Sequence, residues 1–161
     1  LYLKILKNNF NIQHTTSTGR ILDAVSALLG FCDKRTYDGR PAMILESMAT
    51  TPLEFEPIFS QEDGMTILKT TPLFDFLCKT RAEKGNHAAT AQMYIAKWLF
   101  TIAKKAACTK NVPIVFSGGV AYNSMISEYL LHHGVLVNKD HPAGDGGICY
   151  GQAYLANMDE K

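Results

Sequence analysis

Between Val112 and Val137 the order of residue types leaves few folds open. Val112–Phe116 is an apolar run, Ser117-Gly118-Gly119 interrupts it, and Asn123–His132 repeats apolar residues at helical spacing. Gly134 then stops the helix, and Val135-Leu136-Val137 is apolar again. Strand, glycine turn, helix, strand is the order of elements in an α/β lobe, and it predicts an α/β fold. Pro113 has no N–H to donate, which places it at the start of its strand. Adjacent glycines supply clearance and positive φ at the strand's carboxyl end, where unpaired backbone N–H groups can receive a phosphate or a base lying flat. An ordinary strand-to-helix turn uses the same residues, so the turn by itself leaves both readings open.

A second glycine-rich turn, Pro142-Ala143-Gly144-Asp145-Gly146-Gly147, precedes a helix predicted from Ile148 to Asn157. Gly151, Ala153 and Ala156 are expected to give that helix a face for close packing. The Asp145 carboxylate lies between glycines beside a helix N-terminus, where it suits a hard cation or a plain Asp-Gly turn, and one carboxylate does not make a metal site.

Upstream, Ser17-Thr18-Gly19 precedes a helix in which Ile21, Leu22, Val25, Leu28 and Leu29 share a face, ending at Gly30. A hydroxyl cap is expected at its start. Asp23 lies four residues after Gly19 on this helix, either solvated or facing a ligand. Tyr37-Asp38-Gly39 turns the chain into a helix predicted from Pro41 to Ala49, with Glu46 on it. Thr50–Gly64 reads as an irregular connection with a short strand at Phe55–Phe59, and Met65–Leu68 as another strand. Thr71-Pro72 opens a helix through Cys78, Arg81–Asn86 is a polar loop, and His87–Cys108 is the longest helix.

With 161 residues and 47% hydrophobic composition, the chain reads as one domain over residues 1–161. Sixteen basic and fifteen acidic residues, a formal charge of +1, leave no basic footprint for nucleic acid or an anionic membrane. Leu1–Asn9 is too short and too interrupted by Lys4 and Lys7 for a signal or membrane segment, and a cytoplasmic location is expected. Cys32, Cys78, Cys108 and Cys149 have no C-x-x-C spacing and read as reduced thiols. His14, His87, His132, His133 and His141 lack metal-ligand spacing and read as surface or capping residues, while Trp98, Phe100 and Tyr94 read as core. No G-x-S-x-G elbow occurs. The chain starts without methionine in an already apolar-periodic stretch, which predicts a piece of a longer or split protein.

Four ordered stretches together resemble the HypF-type carbamoyltransferases, maturation factors for nickel–iron hydrogenases, in their C-terminal TsaD-like domain. Ser17–Gly30 is similar to the family's S-x-G-R-L-F-D-A-V-x-A-L-L-G, and Tyr37–Glu46 to its Y-E-G-Q-A-A-x-x-L-E. Ser117-Gly118-Gly119-Val120 with Asn123 resembles S-G-G-V-F-x-N, and Pro142–Gly147 with Gly151-Gln152 resembles P-x-x-D-G-G-x-x-x-G-Q. Arg40-Pro41 and Ala121-Tyr122 depart from the usual residues, and Ala121 is shared with the TsaD-type tRNA threonylcarbamoyltransferases.

The resemblance implies a helix-rich lobe of actin-like (ASKHA, RNase H-like) fold, the incomplete second half of a two-lobed domain. It implies ATP or carbamoyl-adenylate in the cleft between lobes, and carbamoyl transfer to the C-terminal cysteine of a HypE-like acceptor. By the same resemblance Gly19, Asp23 and Glu46 contact the nucleoside, and Gly118, Gly119 and Asn123 line the adenine and phosphate side. Asp145 is then the second lobe's ligand to a divalent metal (Fe, Zn or Mg), completed by residues outside this chain. The family's H-x-x-x-H motif belongs to the first lobe and has no match here, so that lobe is an expected partner, and the isolated chain is expected to be inactive. A TsaD-type enzyme lobe and a non-catalytic binding lobe are the alternatives.

Overall fold

The structure is a computed structural model that describes residues 2–10, 12–13 and 15–158; His14 lies outside them. Its order is α1 (Tyr2–Lys7), α2 (Thr18–Leu28), α3 (Arg40–Ser47), β1 (Phe59–Glu62), β2 (Met65–Leu68) and α4 (Thr71–Lys79). The 27-residue α5 (Lys84–Lys110) follows, then β3 (Val115–Phe116), α6 (Ser124–His132), β4 (Leu136–Val137) and α7 (Ile148–Met158). The chain is therefore helix-rich α/β.

Helix α5 is the axis of the molecule. Ala88, Ala89, Ala91 and Ala96 are fully buried in its first half, and such small side chains let α2, α3, α4 and α6 pack closely against it. Leu22 and Val25 of α2, Leu45 of α3, Leu73 and Leu77 of α4, and Ile126 and Leu130 of α6 meet Tyr94 and Ile95 in one core. The helix begins at Lys84, three residues before the expected start at His87, because Glu83 already adopts the extended cap conformation. His87 thereby falls inside the first turns and is 6% exposed, so it is a buried residue and not a surface one.

Two helices end in the same device. The N–H of Phe31 bonds Ser26 O at 2.9 Å and that of Gly30 bonds Ala27 O at 3.0 Å, with Gly30 at φ +72°, which is a Schellman motif. Val135, Gly134 (φ +80°), Leu130 and Leu131 repeat it after α6 with bonds of 3.1 and 3.0 Å. At the start of α2, Ser17 occupies the cap position but its side chain makes no cap bond, so the expected hydroxyl cap is absent.

The Phe59–Glu62 strand replaces the expectation at Phe55–Phe59. Strand β1 pairs antiparallel with β2 around Asp63-Gly64, both at positive φ as a two-residue hairpin turn requires. Phe55 instead stacks on Phe76 and Tyr94, with ring centroids 4.2 and 5.3 Å away. Strands β3 and β4 are parallel, Val115 opposite Leu136 and Phe116 opposite Val137, with α6 as their crossover. Both are shorter than the apolar runs that contain them.

Helix α7 buries none of its residues, and a Cβ added at Gly151 would meet nothing within 4 Å. The expected close packing over Gly151, Ala153 and Ala156 is therefore not made among the described residues. No described helix is long and apolar enough to cross a membrane.

Candidate nucleotide-binding site

The two glycine turns are joined to each other. The N–H of Gly118 donates to Ala143 O at 2.8 Å, so the first turn leans on the second and this donor is not available to a ligand. Gly118 lies at φ +100°, ψ 179°, a conformation that glycine alone adopts readily. Gly119 begins a short 3-10 turn through Tyr122, and neither its N–H nor that of Val120 finds an acceptor among the described residues. A Cβ at Gly118 or Gly119 would meet nothing within 4 Å. This turn thus presents bare backbone and free donors to open space.

The second turn uses its glycines internally. A Cβ at Gly144 would stand 2.4 Å from the Tyr122 ring, and one at Gly147 would stand 2.3 Å from Pro142 O. Its clearance serves contact within the chain and leaves no cradle. Asp145 is exposed at the start of a 3-10 turn. No group of three or more His, Cys, Asp or Glu able to hold a metal occurs among the described residues. Asp145 can supply one carboxylate to a cation, and the described residues do not complete such a site.

Asn123, expected at the nucleotide, is 6% exposed and hydrogen-bonded at both ends of its carboxamide. Its Oδ1 caps α6 by accepting from Ile126 N at 3.0 Å, and its Nδ2 donates to Gln92 Oε1 at 2.6 Å. The adjacent Ser124 donates twice to Glu46 Oε1, from its N–H at 2.8 Å and its hydroxyl at 2.6 Å. Glu46 thus ties α3 to the N-terminus of α6, where a carboxylate is favoured.

Helix α2 packs against α3, α5 and the 3-10 turn, and carries Gly19 and Asp23. Gly19 is half-buried with ordinary clearance, a Cβ there lying 3.6 Å from Ser17 Oγ. Asp23 is different. Both of its carboxylate oxygens are inaccessible and make no hydrogen bond among the described residues. Arg20 Nη2 lies 2.7 Å from Oδ2, a charge pair without hydrogen-bond alignment. Ser26 Oγ, three residues on and therefore on the same face, is also buried and unpartnered, as is His87 Nε2. Buried acceptors without partners are rare and ask for an explanation such as an absent ligand.

The sequence reading missed Gln92, Ser124 and Ser26. Gln92 carried a signal: it interrupts the apolar row Ala88, Ala91 and Ile95 on a face that must be buried. Two further histidines pack against aromatic rings. His133 caps α6 and its ring lies 4.6 and 4.2 Å from those of Phe100 and Tyr129, while His141 stacks on Tyr150 at 3.6 Å. A shallow groove between the hairpin tip and the second half of α5, lined by Met65, Thr66, Ile102 and Lys105, contains none of the candidate residues.

This arrangement, a parallel strand pair with a glycine turn, helices packed around one long axis and an unsatisfied carboxylate, is one lobe of a Kae1-like domain. Residues 1–152 match the family described as carbamoyltransferase, Kae1-like domain, second subdomain, and the chain belongs to that family, the HypF carbamoyltransferases. It is 38% identical to the probable carbamoyltransferase HypF of Methanocaldococcus jannaschii, covering 93% of this chain and 21% of that protein. To the carbamoyltransferase HypF of Rhodobacter capsulatus it is 32% identical, covering 95% and 21%.

Among solved structures it superposes on T. kodakarensis HypF with a TM-score of 0.79 and 31% identity, over 96% of this chain and 21% of that one. A full-length HypF crystallised in its phosphate- and nucleotide-bound form gives 0.79 at 26% identity, over 97% and 22%. The chain thus spans about a fifth of the length of the relatives it matches.

Proposed function

We propose that this chain forms one wall of the nucleotide cleft of a cytoplasmic HypF-type carbamoyltransferase, the other wall being the first subdomain of the same protein. The observation that carries the reading is the buried Asp23 carboxylate, which pairs with the Arg20 charge yet accepts no hydrogen bond among the described residues. A nucleoside offers a pair of vicinal hydroxyls, donors that would satisfy both oxygens at once, and charge-assisted bonds of this kind are the stronger sort. Nucleotide in a related full-length HypF supports the assignment. The free N–H groups of Gly119 and Val120 then face the phosphate side, where charge develops as the leaving group departs.

The bound carbamoyl-adenylate, made from carbamoyl phosphate and ATP, supplies the activated carbonyl. The acceptor is the C-terminal cysteine thiolate of a HypE-like protein: the new S–C bond forms as the carbonyl carbon's bond to the phosphate oxygen breaks, and AMP leaves with that electron pair. This chain's share is to bind and orient the adenylate. Asp145 would donate one oxygen to a divalent metal whose other ligands come from the first subdomain.

A transfer assay on the complete protein tests the reading. Product on a HypE-type C-terminal peptide, abolished by Asp23→Asn, is expected. Product on tRNA alone, or an Asp23→Asn variant as active as wild type, would contradict it.

A further inference from the structure

We infer that Arg20 is a further nucleotide-binding residue that changes partners: it covers the Asp23 carboxylate until a nucleoside takes it, and the displaced guanidinium then binds the nucleotide's phosphate. The inference rests on the reading of Asp23 as the nucleoside's partner. It adds a mobile cation to the phosphate side of that site.

Arg20 Nη2 lies 2.7 Å from Asp23 Oδ2, one turn away on α2, and Asp23 is its one carboxylate partner among the described residues. The contact lacks hydrogen-bond alignment, so charge alone holds it. Its two ends differ in exposure: the Asp23 side chain is 16% exposed and the Arg20 side chain 39%. The guanidinium thus reaches the carboxylate from the solvent side. Both Asp23 oxygens are inaccessible, so a hydroxyl that bonds Oδ2 must first move Arg20 aside.

Magnitudes favour that exchange. A partly exposed ion pair shifts an equilibrium by about fivefold at most. A hydrogen bond from a hydroxyl to a carboxylate is worth about tenfold or more, and vicinal hydroxyls make two. The nucleoside therefore wins Asp23 and leaves the arginine unpaired.

An unpaired Arg20 is poorly placed unless an anion is near. It is the third residue of α2, whose first turn holds no acidic residue, and a cation there opposes the helix dipole. The same helix packs against the 3-10 turn that presents the N–H groups of Gly119 and Val120. A phosphate at that turn offers two oxygens that match the fork of guanidinium donors. The exchange lets the site tell a nucleotide from a nucleoside, because only the nucleotide gives the displaced arginine a new partner.

The test is calorimetric titration of the complete protein with adenosine and with ATP, in wild type, Arg20→Gln and Arg20→Lys. Arg20→Gln should bind adenosine about threefold more tightly and ATP about tenfold more weakly, shifts of opposite sign. Arg20→Lys keeps a charge without the fork, and should recover part of the ATP affinity but none of the gain for adenosine. Raising the salt concentration should tighten adenosine on wild type by screening the pair, and leave adenosine on Arg20→Gln unchanged. Adenosine binding that weakens together with ATP in Arg20→Gln would mean that Arg20 only holds Asp23 in place, and would overturn the proposal. Unchanged ATP affinity in Arg20→Gln would overturn it too. Wild type that binds neither ligand would sink the cleft reading itself, whereas binding of both without the opposite shifts sinks the exchange alone. Should Arg20→Gln not fold, the wild-type salt series decides, and an adenosine affinity indifferent to salt counts against the exchange.

Discussion

Ser124 gives both its backbone N–H and its hydroxyl to a single oxygen of Glu46, at 2.8 and 2.6 Å, across 78 positions of sequence. This pair fastens α3 to the first turn of α6, next to the glycine turn. Hydrogen bonds to a charged group contribute about 1.5–3 kcal/mol each, less where water reaches them as it does here. Glu46→Ala should therefore lower unfolding free energy by about 1–2 kcal/mol, measured by urea denaturation. Stability equal to wild type would show that the clamp is not formed in solution.

The glycines of the second turn differ sharply in what surrounds them. A Cβ at Gly147 would collide with backbone at Pro142 O, whereas one at Gly151 would meet open space inside a helix. Gly147→Ala should lower the melting temperature, and Gly151→Ala should stabilise by up to about 1 kcal/mol from helix propensity. Calorimetric scans of the two variants check the contrast. Equal effects would remove the close approach at Gly147.

The phenol of Tyr94 is pushed above its ordinary pKa by burial, partly offset by the N–H of Ile58, which donates to its oxygen at 2.9 Å. Its own proton goes to Lys69 O at 2.7 Å. The folded state thus keeps a proton that the unfolded chain loses near pH 10, so this contribution is complete below about pH 10 and is lost as pH rises through the folded value. Stability should decline with alkaline pH, and Tyr94→Phe should flatten the decline. An identical slope in the variant would contradict the assignment.

Ile148, Tyr150, Tyr154 and Leu155 are all at least half exposed on α7, and Val115 and Leu136 are exposed on the parallel strands. An apolar surface of that kind favours association. The chain on its own should form concentration-dependent oligomers in analytical ultracentrifugation. A compact monomer that persists on dilution and concentration would contradict this.

The strand, turn and helix from β3 to β4 were legible because alternation of apolar runs with glycine reports backbone geometry directly. So were α2 and α3, where a glycine at positive φ marks a boundary. The β1 strand was misplaced because Phe55 looks like a strand residue but is held by ring stacking with Phe76 and Tyr94, contacts that no local pattern encodes. At the site, the family resemblance singled out Asp23, Glu46 and Asn123 but not the side chains that hold them. Only the fold shows that Asn123 faces Gln92 and that Glu46 faces Ser124, since these pairs span 31 and 78 positions. His87 reads in sequence as a surface or capping residue, and the helix start three residues earlier turns it inward.

Calorimetric titration of the complete protein with ATP, wild type against Asp23→Asn, tests most directly whether the buried Asp23 carboxylate is kept for a nucleoside. Asn at this position gives up the charge pair with Arg20 but also the cost of burying a charge, so folding stability should change by no more than about 1 kcal/mol, while the binding isotherm is lost. Equal ATP affinity in the two proteins would contradict the claim.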